Sequence, residues 1–188
     1  MITRYASLRF EASIGPSDFD EIVRALSADG VAVASLNVAA ERAYAALAIP
    51  LEYDVATVAR TLASALPGAR VDEPPLVVLD VRTETAADAE RVRDAVGGPG
   101  GISGAVTRAA GERSTIVEID ETRTPLALVL DVIDIELRGR ARRIVPMLPL
   151  DDRTLTRFAS ARLGEPDLDR SRLIETHLDA FDFTDSDR

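Results

Sequence analysis

The chain contains no cysteine, no lysine and a single histidine in 188 residues. Without cysteine there is no disulfide, no thiolate nucleophile and no thiolate metal site. Without lysine there is no P-loop ammonium to hold a nucleotide's phosphates. No stretch approaches the roughly 20 continuous apolar residues of a membrane span, and residues 1–12 lack the apolar core of a signal peptide. These absences read as a soluble, cytoplasmic protein with no membrane partner.

All 22 basic side chains are arginine, and 32 acidic ones leave a formal net charge of -10 and a pI near 4.6. A bias toward arginine codons and a salt-adapted acidic proteome each give this composition. An acidic chain repels a phosphate backbone unless its arginines segregate to one face. None of the three regions described below is basic overall, and no aromatic-plus-basic platform for single-stranded RNA is present. Nucleic acid is therefore not the expected partner. At this length the chain buries about 70% of its unfolded surface, enough for one medium domain or two small ones.

What is present is a repeated apolar skeleton. Val55, Val58, Ala59, Leu62, Leu66 and Gly68 map onto Leu126, Val129, Leu130, Ile133, Leu137 and Gly139 at a constant offset of 71 residues. Residues 5–12 alternate, with Ala6, Leu8 and Phe10 on one side, and predict a half-buried strand. Ser17 and Asp20 predict a helix start, and Phe19, Ile22, Val23 and Leu26 continue it toward Gly30. Two strands follow, 31–36 and 43–49, joined around Asn37. Asp54 caps a helix over 55–66 that Pro67 and Gly68 end, and 69–73 adds a short strand.

After Pro74 and Pro75 the series restarts. Residues 76–82 predict a strand with Asp80 and Arg82 turned away from Val77, Leu79 and Val81, and Thr85 with Asp88 predicts a capped helix to Val96. Residues 102–108 and 114–120 predict a strand pair. The β-branched segment 125–137 favours strand by propensity alone. Its apolar spacing matches the earlier helix, Thr124 can cap it, Pro125 suits a first helical position, and thirteen residues exceed a usual strand, so it reads as helix. Residues 140–148 close the series as a strand that Pro146 keeps near an edge.

This order predicts an α+β chain of two tandem ferredoxin-like (βαββαβ) units, 1–75 and 76–150, followed by a C-terminal extension over 151–188 with two helices and a frayed acidic tail. The extension can cover a sheet face or grip a partner. A single mixed α+β domain is the competing architecture.

Five groups of residues carry candidate chemistry. Arg138, Arg140, Arg142 and Arg143 form the one dense basic cluster, suited to an anion through forked donors; equally, arginines at a helix C-terminus offset its dipole and pair with Asp131, Asp134 and Glu136. Gly97, Gly98, Gly100 and Gly101 offer a phosphate loop, although the loop follows a helix and enters a strand, the reverse of the phosphate-binding folds. Asp131 with Asp134, or Asp151 with Asp152, can contribute to a divalent cation site, but neither pair comes with a third ligand, so no metal is assigned. His177 on the last predicted helix is a possible base or pH-sensitive contact without a Ser–His–Asp arrangement around it. Tyr5, Tyr44 and Tyr53 either line a pocket or pack.

No cofactor is named by these residues. The leading expectation is a non-catalytic binding or assembly module that binds a partner protein or a small anionic ligand and self-associates. The alternative is a small enzyme acting on a phosphorylated or carboxylated metabolite held by the arginine cluster.

Overall fold

A computed structural model describes residues 3–11, 20, 23, 24, 26, 27 and 30–148. The chain divides into two compact units, Met1–Leu76 and Val77–Arg188. The fold is α+β, with two antiparallel four-stranded sheets and, among the described residues, three helices of defined extent. None of these helices is long and apolar enough to cross a membrane. The predicted cap at Ser17, the pairs and helices beyond Leu150 and the sole histidine lie outside the described residues.

In the first unit the elements are β1 (Thr3–Glu11), β2 (Ala32–Ala39), β3 (Arg42–Pro50), α1 (Val55–Ala65) and β4 (Arg70–Asp72). Asp20, Val23, Arg24, Leu26 and Ser27 are also helical. The strand order is β2-β3-β1-β4. β1 pairs with β3 from Thr3↔Pro50 to Glu11↔Arg42, so Ala6, Leu8 and Phe10 share a face with Ala43, Ala45, Leu47 and Ile49. That face carries the core, closed by Leu26, Val58, Leu62 and Leu66. The Asp54 side chain caps α1 by accepting from the Ala56 amide at 3.3 Å and the Thr57 hydroxyl at 3.2 Å. The helix ends where Gly68 takes a positive φ of 88°.

The turn between β2 and β3 differs from expectation. Asn37 sits inside the ladder opposite Tyr44, and the strand continues to Ala39. The chain reverses at Ala40 and Glu41, both with positive φ, 53° and 58°. A two-residue turn of this hand suits the right-handed twist of the strands. Pairing of Val38 with Ala43 and Ala39 with Arg42 holds it there against the residues' own preference.

In the second unit the elements are β5 (Val77–Thr83), α2 (Ala86–Gly97), β6 (Ala105–Gly111), β7 (Ser114–Ile119), α3 (Leu126–Glu136) and β8 (Arg142–Pro146). The order β6-β7-β5-β8 repeats that of the first sheet when strands are counted within each unit. Leu79, Val81, Val117 and Ile144 face Val92 and Val96 of α2 and Leu126, Val129, Leu130 and Ile133 of α3 in one buried cluster. The β-branched segment is thus helical, and the repeated skeleton occupies equivalent helices, each followed by a glycine with positive φ and a last strand.

Its start differs in detail from the predicted cap. Pro125 occupies the capping position with no side-chain cap bond. The buried Thr124 hydroxyl instead donates to the Ser103 carbonyl, because a buried O–H needs an acceptor. β6 begins at Ala105 rather than 102, since the Ile102 amide turns back to the Val96 carbonyl at 2.8 Å. β8 is an outer strand, in keeping with Pro146.

Replacing Ala40–Glu41 by Asn–Gly, residues that adopt positive φ readily, is expected to stabilise the protein by about 1 kcal/mol. A urea midpoint that falls in this variant would contradict the turn geometry.

Candidate functional site

The predicted arginine cluster lies where α3 gives way to β8. Leu137 ends the helix, Gly139 reverses the chain with a φ of 72°, and the Arg140 amide donates to the Leu137 carbonyl at 2.9 Å. From this turn the four guanidinium groups separate. Arg140 donates to a carboxylate oxygen of Asp88. Arg142 grips Asp134 Oδ1 with Nη2 at 2.7 Å and Nε at 3.1 Å. Arg138 lines a shallow depression with Asp131, Asp134 and Ile135. Arg143 is one strand position from Arg142 and therefore belongs to the opposite face of the sheet.

Asp88 explains the placement of Arg140. It is 3% exposed and lies in the first turn of α2, where Thr85 caps the helix. The Thr85 hydroxyl accepts from the Asp88 amide at 3.2 Å and donates to its carboxylate at 2.7 Å. Negative charge is favoured at this end of the helix. The bond from Thr85, then the Arg140 guanidinium and nearby Arg91, hold the carboxyl below the usual aspartate range despite the opposing effect of burial. The pair is a brace between the start of α2 and the turn before β8.

The glycine loop closes a helix. The Gly98 amide donates to the Asp94 carbonyl at 3.1 Å, Gly101 to Gly98 at 2.8 Å and Ile102 to Val96 at 2.8 Å. These amides satisfy the last carbonyls of α2, the end of a helix that carries partial negative charge. Both features disfavour an anion at this loop. Gly97 is required for a different reason: a Cβ there would stand 2.4 Å from the Thr107 hydroxyl and 2.9 Å from its backbone nitrogen.

The predicted acidic pair, Asp131 and Asp134, shares a wall of the depression beside Arg138, with Asp134 already held by Arg142. Among the described residues no group of three or more His, Asp or Glu side chains is placed to hold a metal ion. Tyr44 is buried, whereas Tyr5 and Tyr53 are partly exposed, so the three tyrosines do not share one environment.

A second polar constellation lies on the face of the β5–β8 sheet turned away from α2 and α3. Asp80 is nearly buried and accepts from the Ser114 hydroxyl at 2.6 Å and from Arg82 Nε at 2.7 Å. Nearby, Arg108 pairs with Glu118 at 3.2 Å, and Glu118 is only 2% exposed. Arg82 stands opposite Arg143 in the ladder. The alternation of β5 announces Asp80 and Arg82 as outward residues, but their strand partners depend on a register that no local pattern contains.

None of the known protein families matches this sequence, and no curated protein does.

The Asp88 carboxyl has a folded pKa below its unfolded one, so its stabilising contribution is complete above about pH 4, where unfolded aspartate is ionised. It is lost as pH falls through the folded value. Urea midpoints measured from pH 6 downward are expected to fall less steeply for Asp88→Asn than for the wild type, with the gap between the curves closing in the acid range; parallel curves would contradict a lowered Asp88 carboxyl. Gly97→Ala is expected to cost about 1–3 kcal/mol by overpacking against Thr107, and a neutral result would refute the close approach.

Proposed function

We propose that this chain is a binding and assembly module made of two tandem ferredoxin-like units, and that it self-associates through the outer edge of β2. The tandem reading is supported by the shared second-third-first-fourth strand order of the two sheets. It is also supported by the equivalent positions of α1 and α3 along the chain. A βαββαβ unit leaves two strands at its edges, and an edge offers unpaired backbone groups to any other strand unless it is guarded.

The observation that carries the proposal is that one of the four outer strands lacks a guard. β4 is only three residues long and carries Arg70 and Asp72, β6 carries Arg108, and β8 carries Arg142, Arg143 and Pro146. β2 has the sequence AVASLNVA, with no charge and no proline, in a chain that is 29% charged. Leu36 and Val38 remain 37% and 63% exposed along it. No other strand lies against its outer side among the described residues. A register shift between Val33 and Ser35 twists its first part, which leaves Ser35–Ala39 as the pairing segment.

The occupant is a second copy of the chain. Each copy carries a net charge of -10, so a like-charged edge would repel its twin; an uncharged strand meeting itself antiparallel about a twofold axis avoids this. Such an isologous contact is the commonest way for identical chains to close an assembly. The enzyme reading loses support from the same geometry, since Arg140 and Arg142 are engaged with Asp88 and Asp134 and are not left open for a metabolite.

Light scattering at high micromolar concentration is expected to give the mass of a dimer for the wild type. Val38→Lys places a charge on the edge and is expected to give a monomer with unchanged circular dichroism. A monomeric wild type, or a dimer unaffected by the lysine, would overturn the proposal.

A further inference from the structure

We propose that Arg82 and Arg143 form a clamp for a phosphate-type oxyanion on the face of the second sheet turned away from its helices. The two residues are direct partners across β5 and β8. Partners in an antiparallel ladder project from the same face with Cβ atoms about 4.5–5.5 Å apart. Ile144, next to Arg143, and Val81, next to Arg82, both lie in the core beneath the helices, so both guanidinium groups belong to the opposite side.

Like charges placed directly opposite each other destabilise a sheet, and this pair is only partly compensated. Arg82 engages Asp80 through Nε, which leaves its terminal nitrogens open. Both oxygens of Asp80 are engaged, one by that bond and the other by the Ser114 hydroxyl. Arg143 is exposed, and its side chain makes no hydrogen bond or ion pair with any described residue. Its neighbours in the chain, Arg140 and Arg142, are turned to Asp88 and Asp134 and do not share its site.

Two adjacent forks with open donors fit a group that presents several oxygens at once. A phosphate monoester or inorganic phosphate does so, and its double negative charge relieves the repulsion between the arginines. The acidic character of the rest of the chain sharpens the local contrast. This site is independent of the β2 edge and does not rest on self-association.

The test is thermal unfolding of the full chain in increasing inorganic phosphate against sodium chloride at matched ionic strength. Phosphate also stabilises proteins without binding them, by exclusion from their surface, so the readout is the difference between variants. The wild type is expected to show a saturable rise in Tm. Arg143→Gln and Arg82→Gln are expected to weaken the apparent affinity about tenfold or more, the usual consequence of losing charge-assisted hydrogen bonds. Arg138→Gln, outside the clamp, is expected to behave as the wild type. Without phosphate, Arg143→Gln should be at least as stable as the wild type, because a like-charge contact has been removed. An identical response of Arg143→Gln and wild type, or a rise that never saturates, would overturn the clamp.

Discussion

The second unit depends on the burial of one side of α3. Leu126, Val129, Leu130, Ile133 and Leu137 are each 1% exposed or less, and each such side chain contributes about 1.5–3 kcal/mol when removed from water. The β-branched residues that favour a strand penalise a helix by less than about 0.7 kcal/mol apiece. Tertiary burial therefore outweighs local preference. Once α3 is a helix, its end is set at Leu137, Gly139 must turn, and β8 enters the sheet in a single register beside β5.

That register distributes the charges. It carries Arg142 onto Asp134 and Arg140 onto Asp88 on the helical side, and it places Arg143 beside Arg82 on the other. Buried carboxylates need charged or hydrogen-bonding partners, and the nearly buried Asp80, Asp88 and Glu118 each have an arginine. Two of the four arginines in the cluster, Arg140 and Arg142, thus answer a structural requirement. What remains open at the surface follows from which residues were not needed for it.

Much of the fold is legible in the sequence because it is encoded locally. Alternation in β1 and β5 gives their inward faces, Asp54 and Thr85 mark helix starts, and the matched spacing of residues 55–68 and 126–139 identifies a recurring helix. The departures arise where distant partners decide. Asn37 resembles a turn residue but is held in a ladder by Tyr44; Thr124 resembles a cap but its hydroxyl answers a carbonyl twenty-one residues away. The candidate site follows the same rule: four arginines adjacent in sequence separate between two faces, while Arg82 and Arg143, sixty-one positions apart, become neighbours. Spacing along the chain predicts which residues share an element, and strand pairing predicts which share a site.

The central claim is that residues 126–136 coil because their apolar side packs on a sheet, as residues 55–65 do in the first unit. Backbone ¹³Cα chemical shifts of the full chain test it directly. Continuous downfield secondary shifts across both segments are predicted, as in helices. Upfield shifts across 126–136, the signature of an extended strand, would contradict the account, and the register that separates Arg140 and Arg142 from Arg143 would fall with it.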